Sequence, residues 1–219
     1  MNRPLRTTSL LLLAWLAASG LGPCELFKPE TPESPSGDAI LGNYTQPDST
    51  LAAIVYGIRA KGQSGGDGVY LAAFADSSGP GGSPDGRGYN AFFDPVTVTR
   101  HTSQGGTLPS TWPVWGRLQE EQFFARVVRL YTEPYDMTWE EDQSQGNDEI
   151  GPGTAFIHRR YRLYRRLSNG VAAPFASGYA DIRLINPGTR WVIVSWQDRE
   201  DPNPPAGAIC YGRLRLENQ

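Results

Sequence analysis

Cysteine is scarce in this chain, with Cys24 and Cys210 as its only two residues of that kind. A disulfide framework is therefore excluded if either one serves another purpose. Histidine is equally scarce: His101 and His158 lie far apart, and neither sits in a metal-ligand spacing. No Cys-x-x-Cys, His-Glu-x-x-His or EF-hand pattern occurs, so neither a metal nor a cofactor is expected. Lysine is limited to Lys28 and Lys61, and almost all positive charge is arginine. The formal net charge of -3 is small. No overall field recruits nucleic acid or an acidic membrane surface, and nucleic acid is not an expected partner. The apolar run from Leu10 to Ala18 is too short to cross a bilayer as a stable helix.

What that short run does match is an export leader. Arg3 and Arg6 precede it and small residues follow, the charge and hydropathy layout of a secretory signal. Cys24 then looks like the acceptor cysteine of a bacterial lipoprotein, although Pro23 stands where such sites usually carry Gly, Ala or Ser. Secretion after cleavage at Ala18 or Gly20 is the alternative. Residues 1–23 read as signal peptide, 24–47 as a lipidated cysteine plus disordered tether, and 48–217 as the folded domain. The tether carries Pro29, Pro32, Pro35 and Pro47 among Glu, Ser, Thr and Gly, a composition with too little apolar surface to fold.

Order is expected from Asp48-Ser49, good N-cap residues. Leu51, Ile54, Val55 and Ile58 follow at helical spacing, with Gly62 as the stop. A second short helix carries Tyr70, Ala73 and Phe74 on one face. The Gly/Ser/Pro-rich stretch from Ser77 to Gly88 is a loop. Ala91 to Thr99 reads as a strand broken at Pro95, and Pro113 opens a third helix with Phe123, Phe124, Val127, Val128 and Tyr131 on its apolar side. The period then changes to two. Strands are expected at Tyr135–Glu141, Phe156–Arg166, Ala172–Ile185, Arg190–Gln197 and Ile209–Leu216, with Asn169-Gly170 and Asn186-Pro187-Gly188 as turns. Helices followed by an antiparallel meander imply an α+β fold with helices layered on one sheet.

Several motifs, taken in order, carry a resemblance. They are Leu51-x-x-Ile54-Val55-Tyr56, the run from Tyr70 to Asp76, Phe92-Phe93-Asp94-Pro95, Trp115 leading into Glu120-Glu121, and the run from Trp191 to Asp198. The set resembles the NTF2-like (cystatin-like, cone-shaped) superfamily, over roughly Ser49 to Leu216. It resembles in particular exported bacterial NTF2-like lipoproteins of unassigned role, including the Cys-x-Leu-Phe-x-Pro opening at Cys24. The resemblance implies three N-terminal helices packed in a curved, mostly antiparallel sheet. Enzymes of the superfamily use an Asp, His or Tyr inside the cone, but no arrangement here maps onto theirs residue by residue.

The candidate pocket comprises Tyr56, Tyr70, Trp115, Trp139, Tyr161, Trp196 and Asp198. Read for function, these aromatics line an open apolar cavity, with Asp198 as acid or base. The plainer reading makes the aromatics core and Asp198 a satisfied carboxylate, because nothing visible in the sequence shifts its pKa. Asp94 reads as a turn residue. Arg159, Arg160, Arg162, Arg165 and Arg166 resemble a phosphate-binding stripe. Alternation divides them between two faces, which favours a solvated strand. In Trp191–Trp196, Val192, Val194 and Trp196 are expected inward, leaving Trp191 and Ile193 outward on a surface that a second copy, a loop or the tether would cover.

Three functions are compatible with this reading. The first is a non-catalytic, membrane-tethered binding or interaction module of the bacterial cell envelope, with no catalytic residue. The second is a small-molecule enzyme, isomerase- or cyclase-like, with its acid–base residue in the cone. The third is a structural homodimer without a ligand. The partners expected are a membrane through the lipid anchor, a second copy and a small apolar ligand. A polar cavity around a desolvated carboxylate favours the enzyme, and a filled interior favours the module.

Overall fold

Helix α1, Pro47–Arg59, starts at a proline that needs no N–H there, so the chain becomes helical one residue before the expected Asp48 cap. The structure, a computed structural model, describes residues 45–63, 65–77 and 88–219. The leader, Cys24 and most of both the tether and the Ser77–Gly88 loop lie outside the described residues. Leu51, Ile54 and Ile58 turn one face of α1 into the core. Helix α2, Gly66–Ala72, follows and buries Val69 and Tyr70. Among the described residues, no helix is long and apolar enough to cross a membrane.

Strand β1, Asn90–Phe92, is much shorter than the expected one. The chain instead enters helix α3, Pro95–Ser103, because the Asp94 side chain accepts the Val96 N–H and Pro95 holds the first helical position. Helix α4, Arg117–Leu130, buries Phe123, Phe124 and Glu120. Four strands then form the meander: β2 Tyr135–Glu141, β4 Thr154–Arg166, β5 Ala172–Ile185 and β6 Val192–Glu200, with the two-residue β3 Glu149–Ile150 on the edge of β4. The order across the sheet is β1-β6-β5-β4-β2, with β1 parallel to β6 and the other pairs antiparallel.

The expected last strand, Ile209–Leu216, is also corrected. Ile209 keeps a single bridge to Ala176, and Tyr211–Glu217 forms helix α5. Leu214, Arg215 and Leu216 are good helix formers, and a helical period places Tyr211, Leu214 and Arg215 on one buried face.

A third correction concerns the facing of β6. Arg183 pairs with Ser195 while Leu184 pairs with Ile193, so Val194 is an extra residue in the ladder. Such a bulge reverses the in–out alternation on one side of it. Trp191 and Ile193 consequently lie in the same buried cluster as Trp196. Val192 packs with Ala75 and Ile185 in a separate cluster, with Val194 against it. Trp191 and Ile193 are therefore buried within the chain rather than on the outward surface for which a second copy, a loop or the tether was weighed as cover. The Trp191 indole donates to the Thr45 carbonyl, so the last residues of the expected tether, Thr45–Pro47, touch the domain.

Candidate functional site

The concave side of the sheet and the helices enclose a polar centre rather than a purely apolar one. Its first hub is Glu120, wholly buried on α4. The carboxylate accepts the Tyr70 hydroxyl at 2.5 Å and the Trp115 indole N–H at 2.8 Å. Arg215 of α5 completes the set, donating Nε at 2.9 Å and Nη2 at 3.0 Å. Arg215 Nη2 also reaches the Tyr89 hydroxyl at 2.9 Å. The guanidinium is fully buried, and Glu120 beside it holds its pKa well above the usual arginine value despite the cost of burial. It lies 4.6 Å from the Trp196 ring and 4.7 Å from the Tyr211 ring, the contacts of a cation over two π faces.

The second hub is Asp198 on β6. Its Oδ1 accepts the Tyr161 hydroxyl at 2.8 Å, and its Oδ2 accepts the Gly212 N–H at 2.8 Å. The Tyr161 oxygen in turn accepts the Tyr211 N–H at 2.7 Å. Burial pushes the Asp198 carboxyl up to about 6, although the Gly212 N–H, the Arg215 charge and the Tyr161 hydroxyl all pull the other way. Gly212 is required where it stands, since a Cβ there would lie 2.9 Å from Asp198 Oδ2. Burial also raises the phenols of Tyr70, Tyr89 and Tyr161 well above their ordinary value and the Cys210 thiol to about 12, so all four stay neutral at physiological pH.

Of the seven pocket candidates, the structure gathers six. Tyr70, Trp115, Tyr161, Trp196 and Asp198 belong to the buried centre, and half-buried Trp139 packs 5.5 Å from Trp196 and 6.0 Å from Tyr161. Tyr56 does not join them; it packs against Ala53 and Val69 in a separate cluster. Tyr211 stacks on Trp196 at 5.3 Å and 13°, so α5 packs directly against the gathered rings, as the plainer core reading has it. Pockets of about 590, 400 and 220 Å³ open at the surface; Tyr89 borders the second and Trp115 the third.

Sequence reasoning missed Glu120, Arg215, Tyr89 and Tyr211. A signal for Glu120 existed, because it stands three and four residues before Phe123 and Phe124 on the apolar side of its helix. Arg215 and Tyr211 were hidden by reading their segment as a strand. Asp94 is more than a turn residue, since its other carboxylate oxygen accepts the Glu200 N–H and ties α3 to β6. Three arginines of the stripe are ion-paired within the fold: Arg159 with Asp48 and Asp148, Arg160 with Asp201, Arg162 with Glu140. Gly62-Gln63-Ser64-Gly65-Gly66 spells a Gly-x-Ser-x-Gly sequence; Ser64 lies outside the described residues, and the elements before and after it are both helices, not the strand-to-helix setting of a nucleophile elbow. Among the described residues, no group of three His, Cys, Asp or Glu side chains could hold a metal ion.

Helices packed on the concave side of a bulged, open sheet in the order β1-β6-β5-β4-β2 decide the architecture. The fold is an α+β cone, the architecture that the NTF2-like resemblance implies. Solved structures similar to it include a protein of unknown function from Mycobacterium tuberculosis, at 14% identity over 70% of this chain and 69% of that one, TM-score 0.47. Another is a cystatin-like protein from Nostoc punctiforme, at 11% identity over 72% of this chain and 90% of that one, TM-score 0.44. A third, from Streptomyces avermitilis and assigned to the NTF2-like family, has 11% identity over 73% of this chain and 96% of that one, TM-score 0.47. No family model and no curated protein matches the sequence. At such identities and TM-scores no activity is carried over.

Proposed function

We propose that this chain is a non-catalytic binding or interaction module of the bacterial cell envelope, held to a membrane through a lipid on Cys24. The observation that carries the non-catalytic part is the occupied cone. α5 drives Tyr211 and Arg215 against Trp196, and every acid–base group there is already bonded within the fold. The envelope part rests on the leader, on Cys24 and on the tether composition.

A second reading, an isomerase- or cyclase-like enzyme acting in the cone, is favoured by one feature: Asp198 is desolvated and bonded to a tyrosine hydroxyl, the environment in which a carboxylic acid exchanges protons near neutrality. Two measurements separate the readings. Incubation with a panel of polyketide-like enones and β-hydroxy ketones is expected to give neither turnover nor a saturable thermal shift; turnover that Asp198→Asn abolishes would establish the enzyme. Metabolic labelling with a fatty-acid probe is expected to mark the wild type and not Cys24→Ser, and an unlabelled, freely soluble wild type removes the anchor.

A further inference from the structure

We propose that α5 is a proton-coupled latch on the cone, seated more firmly in mild acid than at neutral pH; the inference goes beyond the binding-module reading and does not depend on it. The geometry begins at the helix start. The first two N–H groups of α5 end on side chains of the sheet, Tyr211 on Tyr161 and Gly212 on Asp198, while Arg213 donates to the sulfur of the helix's own N-cap, Cys210, at 3.4 Å. Asp198 holds two of these bonds in place, one directly and one through the Tyr161 hydroxyl. Seating α5 therefore seals a carboxyl group away from water, and lifting α5 returns it to water.

What faces Asp198 decides which protonation state the seal prefers. From β4 comes Tyr161; from the C-terminal segment come Cys210, Tyr211 and Arg215; Tyr89 faces it from ahead of β1. Glu200, further along β6, is occupied by Arg100 and Thr97. The phenols and the thiol are neutral throughout the acid range. Arg215 directs two of its donor nitrogens at Glu120 and makes no hydrogen bond to Asp198, so the aspartate's charge meets dipoles alone at bonding distance. Burial without a bonded cation favours the protonated acid. The value of about 6 in the sealed site, against 3.8 for an ordinary aspartate, agrees with that direction. By linkage, protons stabilise the seated helix, and its opening becomes easier as pH rises through this interval.

The test is amide hydrogen exchange on the full chain at pH 4.5 and pH 7, corrected for intrinsic exchange rates. Protection of the α5 amides is expected to be roughly twenty-fold weaker at pH 7. Amides in the middle of β4 and β5 are expected to change much less, which separates latch opening from global unfolding. In Asp198→Asn the α5 difference should flatten. A pH-independent α5, an α5 that follows β4 and β5 by the same factor, or a dependence that persists in Asp198→Asn overturns the proposal. Should the variant fail to fold, the wild-type contrast between α5 and the central strands decides it alone.

Discussion

A buried carboxylate can be matched by a cation or left among dipoles, and this core contains one of each kind. Glu120 meets Arg215 with neither side chain exposed. Removing one partner leaves the other charged and unpaired, so Glu120→Gln is expected to cost about 3–5 kcal/mol in chemical denaturation. Adding Arg215→Met to it should recover much of the loss, and a double variant as unstable as the single one would show that the pair is not the reason. Asp198 has the opposite sign. Its folded pKa is raised, so the folded state binds the extra proton, and the stability it contributes is present below about 4 and lost as pH rises through about 6. Asp142, Asp148 and Asp201, held low by Arg199, Arg159 and Arg160 and by hydrogen bonds, contribute stability above the unfolded value that is lost in acid. The difference between wild type and Asp198→Asn isolates the one term. It should change by up to about 3 kcal/mol between pH 4 and pH 7, with the variant gaining relative stability as pH rises. Trp196→Ala should cost about 3–5 kcal/mol, because its ring is the floor on which Tyr211 and Arg215 rest.

Among the elements, α5 depends on a close approach that one substitution can disturb. A methyl at Gly212 would press on Asp198 Oδ2 and lie 3.2 Å from the Phe93 ring. Gly212→Ala is therefore expected to destabilise by about 1–3 kcal/mol through overpacking, despite its better helix propensity. It should also weaken amide protection in α5 before it does so in β4; a stabilised variant would mean that α5 shifts freely on the sheet. Strand β6 carries a second element-scale consequence. Since the Val194 bulge turns Trp191 inward, Trp191→Ser should lower stability by an amount of the order of 3 kcal/mol. Sedimentation of wild type and variant should show the same association state, and a change in that state without a loss of stability would restore Trp191 as an interface residue.

At the scale of the whole molecule, helices and sheet converge on an interior whose polar groups bond chiefly to one another. Much of this was legible in the amino-acid order. The switch of hydrophobic period from helical to alternating determined the α+β class and placed β2 and β5, Tyr135–Glu141 and Ala172–Ile185, at their observed limits. Those patterns are local, set by which side chains must leave water together. The same local reasoning picked out Tyr70, Trp115, Tyr161, Trp196 and Asp198, since large aromatics and a carboxylate on inward faces meet wherever those faces converge. Three things were decided only by tertiary structure. The Val194 bulge depends on how β5 and β6 pair, and it exchanged the facing of Trp191 and Ile193. The Ile209–Leu216 segment contains residues that serve either strand or helix, and the available place against β5 and β6 selected α5. The filling of the cone follows from that choice: whether Asp198 faces a cavity or a seated helix depends on a contact with Gly212, fourteen residues further along the chain, which no local pattern can encode.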